Sequence, residues 1–202
     1  MNSSRWLSGI LILLAYGAAP ARAQGVDTGN ESLFELQVTG YAGRGKGSSL
    51  LATQLYAEKA LPIRELSGFL VVHHDREFRA VYAGLTQKFG DLQLGVGFGN
   101  AWYDDKRHPA FNPWLYYSAD AVEAFVSVEH YSREDREPWF YKGQVSWRVA
   151  DSIFVGAYGE KDLGVGPLLA WRNGSLRIWG AIPVISRPEE GARGVAGIQV
   201  EF

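Results

Sequence analysis

Apolar and polar positions alternate one for one along most of this chain. Leu92, Leu94, Val96 and Phe98 interleave with Gln93, Gly95, Gly97 and Gly99, and Val122, Ala124, Val126 and Val128 with Glu123, Phe125, Ser127 and Glu129. Tyr141, Val145, Trp147 and Val149 alternate in the same way with Lys142, Gln144, Ser146 and Arg148. Successive side chains of a strand point to opposite faces, so each segment has one apolar face and one that is mostly polar or bare. Turn residues separate the segments at Phe89-Gly90-Asp91, Ser118-Ala119-Asp120, Ala150-Asp151-Ser152 and Asn173-Gly174-Ser175. The pattern predicts twelve strands, over 33–43, 49–59, 64–74, 77–88, 91–103, 111–118, 121–131, 139–149, 152–160, 163–172, 175–185 and 193–202. No window after the N-terminus keeps a helical period or an unbroken apolar run long enough to span a membrane as a helix.

Many alternating strands suit a soluble sandwich or barrel as well as a transmembrane barrel, and the connections separate the two. Those after the fourth, sixth, eighth and tenth strands are tight. Arg44-to-Ser48, Asp104-to-Ala110, Ser132-to-Pro138 and Ser186-to-Ala192, all after odd-numbered strands, are longer and rich in charge or glycine; the connection at Asp75 and Arg76 is short. Outer-membrane barrels carry short periplasmic turns at one end and longer loops at the other. Trp102, Tyr103, Trp114, Tyr116, Tyr117, Trp139, Phe140, Tyr141 and Trp171 lie near predicted strand ends, where an interfacial girdle belongs. The expected fold is all-β: an up-and-down antiparallel transmembrane β-barrel of about twelve strands, both termini periplasmic.

The first segment reads as an address. Arg5, the apolar run from Trp6 to Ala19 and Ala21-Arg22-Ala23 are the three parts of an export signal cleaved before Gln24. The expected organisation is a signal peptide over 1–23 and an outer-membrane barrel over 24–202. Composition narrows the chemistry further. The 202 residues include no cysteine, which excludes a disulfide framework, a thiolate metal site and a cysteine nucleophile. With 20 Lys+Arg against 22 Asp+Glu and no basic stripe, nucleic acid is not an expected partner. The chain is 47% hydrophobic, yet its mean hydropathy is only -0.12, as dilution by alternation requires.

The last strand sharpens the class. Ile198, Val200 and Phe202 alternate with Gly197, Gln199 and Glu201, and the sequence stops on Phe202. This resembles the C-terminal signature of Gram-negative outer-membrane β-barrel proteins. The resemblance implies location in the cell outer membrane, contact with membrane lipid and lipopolysaccharide, and reading of Phe202 by the barrel-assembly machinery.

Inside such a barrel the polar faces meet. Placing Glu129 opposite Lys142 also puts Glu123 opposite Arg148, two opposite-charge pairs from one register. The expected lumen holds Glu35, Gln37, Gln54, Glu58, Glu123, Glu129, Lys142, Gln144, Arg148, Arg177, Gln199 and Glu201, with Gly95, Gly97 and Gly99 leaving room on one wall. No cofactor or metal is expected. The glycines of 95–99 lack nucleotide-fingerprint spacing and share one strand face, and the neighbours His73 and His74 face opposite ways.

One motif points to catalysis. His130 and Ser132 share an outward strand face, the spacing a histidine needs to take a serine proton. His130-Tyr131-Ser132 resembles the His-x-Ser motif of outer-membrane lipid A 3-O-deacylases, which implies ester hydrolysis of lipopolysaccharide. The family's asparagine after the serine is Arg133 here, and Gln144 stands near the place of its orienting glutamate, leaving Glu134 and Glu137 as the nearer carboxylates. The leading expectation is a non-catalytic barrel, either a narrow pore for a small solute or an accessory of envelope or polysaccharide export. The alternatives are the deacylase using His130, Ser132 and Glu137, and a structural or adhesion barrel acting through its outer loops.

Overall fold

The computed structural model describes residues 32–44, 48–76, 78–103, 105–132, 138–161, 163–185 and 194–202. The expected signal segment 1–23 and Glu137 lie outside them. The described residues form twelve strands: β1 (Ser32–Arg44), β2 (Ser48–Ala60), β3 (Leu66–His74), β4 (Phe78–Phe89), β5 (Leu92–Tyr103), β6 (Lys106–Ala119), β7 (Val122–Tyr131), β8 (Trp139–Ala150), β9 (Ile153–Glu160), β10 (Gly164–Asn173), β11 (Leu176–Ala181) and β12 (Gly194–Glu201). Each pairs antiparallel with its sequence neighbours, and β1 pairs with β12, which closes the barrel. The closing seam runs to the last residue: Phe202 N–H donates to Phe34 O at 2.8 Å and Phe34 N–H to Phe202 O at 3.3 Å. Closure removes the edge strands that would otherwise template aggregation.

One end of the barrel carries both seam termini and three tight hairpin connections. Gly90-Asp91, Asp120-Ala121 and Gly174-Ser175 are two-residue turns between directly paired strand ends. Gly174 has φ 57°, the left-handed conformation such hairpins need and glycine adopts without steric cost. The β2–β3 and β8–β9 connections lie at this end too, and the opposite end, the loop end, carries the others.

Alternation sorts the wall as periodicity predicts. Leu51, Leu55, Leu70, Phe98, Val126, Leu169 and Ile178 are exposed on the outside, while their neighbours in sequence face the lumen. A continuous apolar exterior of this kind does not persist in water. In lipid it is the required surface, and a closed sheet satisfies the backbone groups that hydrocarbon cannot.

Several expectations are corrected. Strand β6 begins at Lys106, so the long loop expected over Asp104-to-Ala110 is instead strand beyond a tight turn at Asp105. Pro109 and Pro113 obscure its alternation, and Pro113 has no N–H for the ladder. Asn112 supplies the substitute: its Nδ2 donates to Val128 O at 3.0 Å and to Ser127 Oγ at 2.8 Å. Strand β11 stops at Ala181 rather than 185, because Pro183 cannot donate and both Val184 and Ile185 turn their N–H groups onto Val165 O.

The β7–β8 register is also two residues from the expected one. Ser127 faces Lys142 and Glu123 faces Ser146, with the offset pinned at the loop end by Tyr131 N–H donating to Pro138 O at 2.8 Å. An even slip keeps every side chain on its own face, so alternation cannot distinguish the two registers. The inner glycines do not leave an empty wall either. A Cβ at Gly95 would lie 2.1 Å from the Trp114 ring and one at Gly97 3.0 Å from Phe69, so rings occupy that room. Finally, Tyr103, Trp114, Tyr116 and Phe140 belong to the lumen face, in register with inward neighbours, and are not part of an outer girdle.

Candidate functional site

The polar faces enclose a cavity of about 2090 Å³ that reaches the turn end, where Leu33, Pro62, Asp91, Asp120, Asp151 and Gly174 form its rim. The structure places Glu35, Glu58, Glu123, Glu129, Lys142, Gln144, Arg148, Arg177 and Glu201 along its wall, with Gln37, Gln54 and Gln199.

Near the turn end, charge meets charge. Arg172 grips Glu123 with both terminal nitrogens, at 2.5 and 3.0 Å, and Arg177 Nη1 reaches the same carboxylate at 3.3 Å. A forked guanidinium–carboxylate pair is among the strongest hydrogen-bonded contacts available to a protein. Arg172 and Arg177 are direct cross-strand partners, a like-charge pair that Glu123 relieves from β7 across the lumen. Glu35 and Glu201 form a second directly opposed like-charge pair, on β1 and β12. Arg148, expected against Glu123, sits at the rim and donates to the Asp120 carbonyl.

Midway up, Lys142 Nζ on β8 donates to Gln54 Oε1 on β2 at 3.2 Å. These strands are six apart in a ring of twelve, diametrically opposite, so the bond crosses the full lumen. The barrel is therefore constricted at this height.

Toward the loop end, carboxylates meet phenols instead of cations. Glu129 accepts from Tyr82 at 2.7 Å and from Tyr131, and Glu160 accepts from Tyr158 at 2.5 Å and Tyr41 at 3.0 Å. Rings and aliphatic side chains fill the rest: Phe78 lies 4.6 Å from Tyr103 and 5.5 Å from Tyr131, and Leu163, Leu168, Ala181 and Val195 pack beyond Tyr158 and Trp179. Sequence reasoning missed Glu160, Arg172 and these tyrosines. The usable signal was the recurring pair two positions apart, in Tyr56/Glu58, Glu129/Tyr131 and Tyr158/Glu160, which alternation puts on one face.

The outer-face motif has a different setting. The His130 ring stands edge-on to Trp139 at 4.5 Å. Ser132 N–H donates to Pro109 O at 3.0 Å, and His108 Nδ1 lies 3.1 Å from Ser132 O. Among the described residues no hydrogen bond joins His130 to Ser132.

No protein-family model matches the chain, and no curated protein matches it. Among solved structures it is similar to a bacterial polysaccharide outer membrane secretin, 10% identical over 87% of this chain and 65% of that one, with a TM-score of 0.45. The chain thus spans less than two thirds of that secretin. It is also similar to OmpF of Salmonella typhi in complex with daunomycin, 8% identical over 86% of this chain and 97% of that one, TM-score 0.40. A mutant of the Rh. blastica porin is 8% identical over 86% of this chain and the whole of its own, TM-score 0.38. The location rests on the molecule's own surface: a closed antiparallel barrel, apolar outside and charged within, is an outer-membrane β-barrel.

Proposed function

We propose that the protein is a narrow, non-catalytic solute passage of the outer membrane, entered from the turn end. Short turns are periplasmic in such barrels, so the mouth faces the periplasm. The observation that carries this reading is the Lys142–Gln54 bond across the lumen. A wide aqueous channel has no side-chain bond between opposite walls. A solid barrel has no cavity of about 2090 Å³ along its lumen. The lumen combines the two: a roomy vestibule, then a constriction of one lysine, one glutamine and the Tyr82–Glu129–Tyr131 group.

Single-channel recording of the refolded protein in planar bilayers tests it. Native protein shows small, infrequent steps, and Lys142→Ala enlarges them or makes them more frequent. Large steady steps from native protein overturn the constriction. Silence from native protein, from Lys142→Ala and from the Lys142→Ala/Tyr82→Ala double variant overturns the passage, and an accessory role in envelope export takes its place.

A further inference from the structure

The vestibule wall carries one patch in which a flat aromatic surface is fixed between committed amides. Trp114 is the cross-strand partner of Gly95, and a Cβ at Gly95 would lie 2.1 to 2.4 Å from its indole atoms. The indole therefore lies flat on the wall with one face against β5. Tyr56 and Phe69 hold it edge-on, at ring separations of 6.3 and 5.8 Å. The indole also lines the cavity on the side away from β5.

The amides beside it are half used. Gln93, two positions from Gly95 on the same face and so about 7 Å along the strand, commits its Nε2 to Glu58 at 3.0 and 3.2 Å. That leaves its carbonyl as an acceptor. Gln54, two positions from Tyr56, commits its Oε1 to Lys142, which leaves its amide N–H groups as donors. Glu58 accepts from Tyr56 at 2.6 Å, Thr86 at 2.7 Å and both Gln93 contacts, so its lone pairs are filled and it serves to hold these groups still.

We propose that this patch is a saccharide subsite, binding a neutral pyranose ring that stacks on Trp114 between Gln93 and Gln54. A pyranose presents axial C–H groups on one face and hydroxyls around its edge. Each hydroxyl both donates and accepts, which matches an apolar ring face flanked by one acceptor and one donor. Lys88, the cross-strand partner of Gln93, lines the same cavity and Glu58 lies beside it, so the patch carries both signs of charge and charge alone does not select an anion. A purely apolar solute leaves both amides unpaired at a cost. The proposal rests on the passage reading and names the chemical class that enters.

Saturation-transfer NMR and titration calorimetry on the refolded protein test the subsite without conduction. The probes are maltotriose and chitotriose, in a detergent without a sugar headgroup. At least one binds with a dissociation constant of about 1 mM or tighter, Trp114→Ala weakens it at least about tenfold and Trp114→Phe retains most of it. Trp102→Ala, on the outer wall, changes nothing. Gln93→Leu, which spares the platform, also weakens binding, so the test survives if Trp114→Ala does not fold. Failure of both saccharides to bind, or equal binding by native protein and both vestibule variants, overturns the subsite. Saccharide binding with silent bilayers sinks the passage alone, whereas conductance without saccharide binding sinks the subsite alone.

Discussion

The two halves of the lumen solve the same problem differently. Both are walls of alternating strands with carboxylates pointing inward. In the turn half Glu123 is balanced by two guanidinium groups, and in the loop half Glu129 and Glu160 are held by tyrosine hydroxyls. The guanidinium partners lie toward the rim, whereas phenols serve carboxylates at both depths, since Glu58 in the turn half also accepts from Tyr56. A phenol brings its own apolar body, so it can satisfy a carboxylate and close a passage together. A guanidinium brings net charge, which suits a wet vestibule. The lesson is that an inward carboxylate can be satisfied by a cation or by a phenol, and only the cation adds charge to the cavity wall.

Substitutions that break this contrast rank by size. Glu123→Ala has the largest effect: it leaves Arg172 and Arg177 facing each other without their shared partner, and losing one side of a buried ion pair costs about 3–5 kcal/mol. Urea unfolding of the protein refolded in lipid vesicles reads this directly, and a loss no greater than that of a surface control defeats the claim that the turn half depends on charge balance. Next is Gly95→Leu, which drives a side chain into the Trp114 ring; overpacking of this kind costs about 1–3 kcal/mol. The same unfolding assay applies, joined by tryptophan fluorescence, and an unshifted emission spectrum would show that the indole does not lie on that glycine.

Tyr82→Phe is milder. Glu129 keeps Tyr131, so one hydrogen bond to a carboxylate, worth about 1.5 kcal/mol, is lost and the vestibule keeps its charge. A loss as large as that from Glu123→Ala would erase the distinction between the halves. Ser132→Ala sits outside both and should stay within about 0.5 kcal/mol of native stability. Mass spectrometry of lipopolysaccharide incubated with native protein and with this variant should give the same acyl pattern. An acyl chain removed by native protein and kept by the variant would restore the hydrolase reading.

Alternation by itself determined the strand number, the face of nearly every inward charge and the sorting of apolar residues to the outside. These depend only on the two-residue repeat of an extended chain, which any register preserves. The identity of each charge's partner was decided by tertiary structure. Glu123 and Lys142 are neighbours of Ser146 and Ser127 in the sheet, yet their polar contacts come from β10, β11 and β2 across the lumen. Cross-lumen contacts depend on how far the ring closes and how each strand slides, and an even slide leaves no trace in the pattern. The vacancy read at Gly95 and Gly97 became a seat for Trp114 and Phe69 for the same reason, since a missing side chain says nothing of which neighbour fills its place.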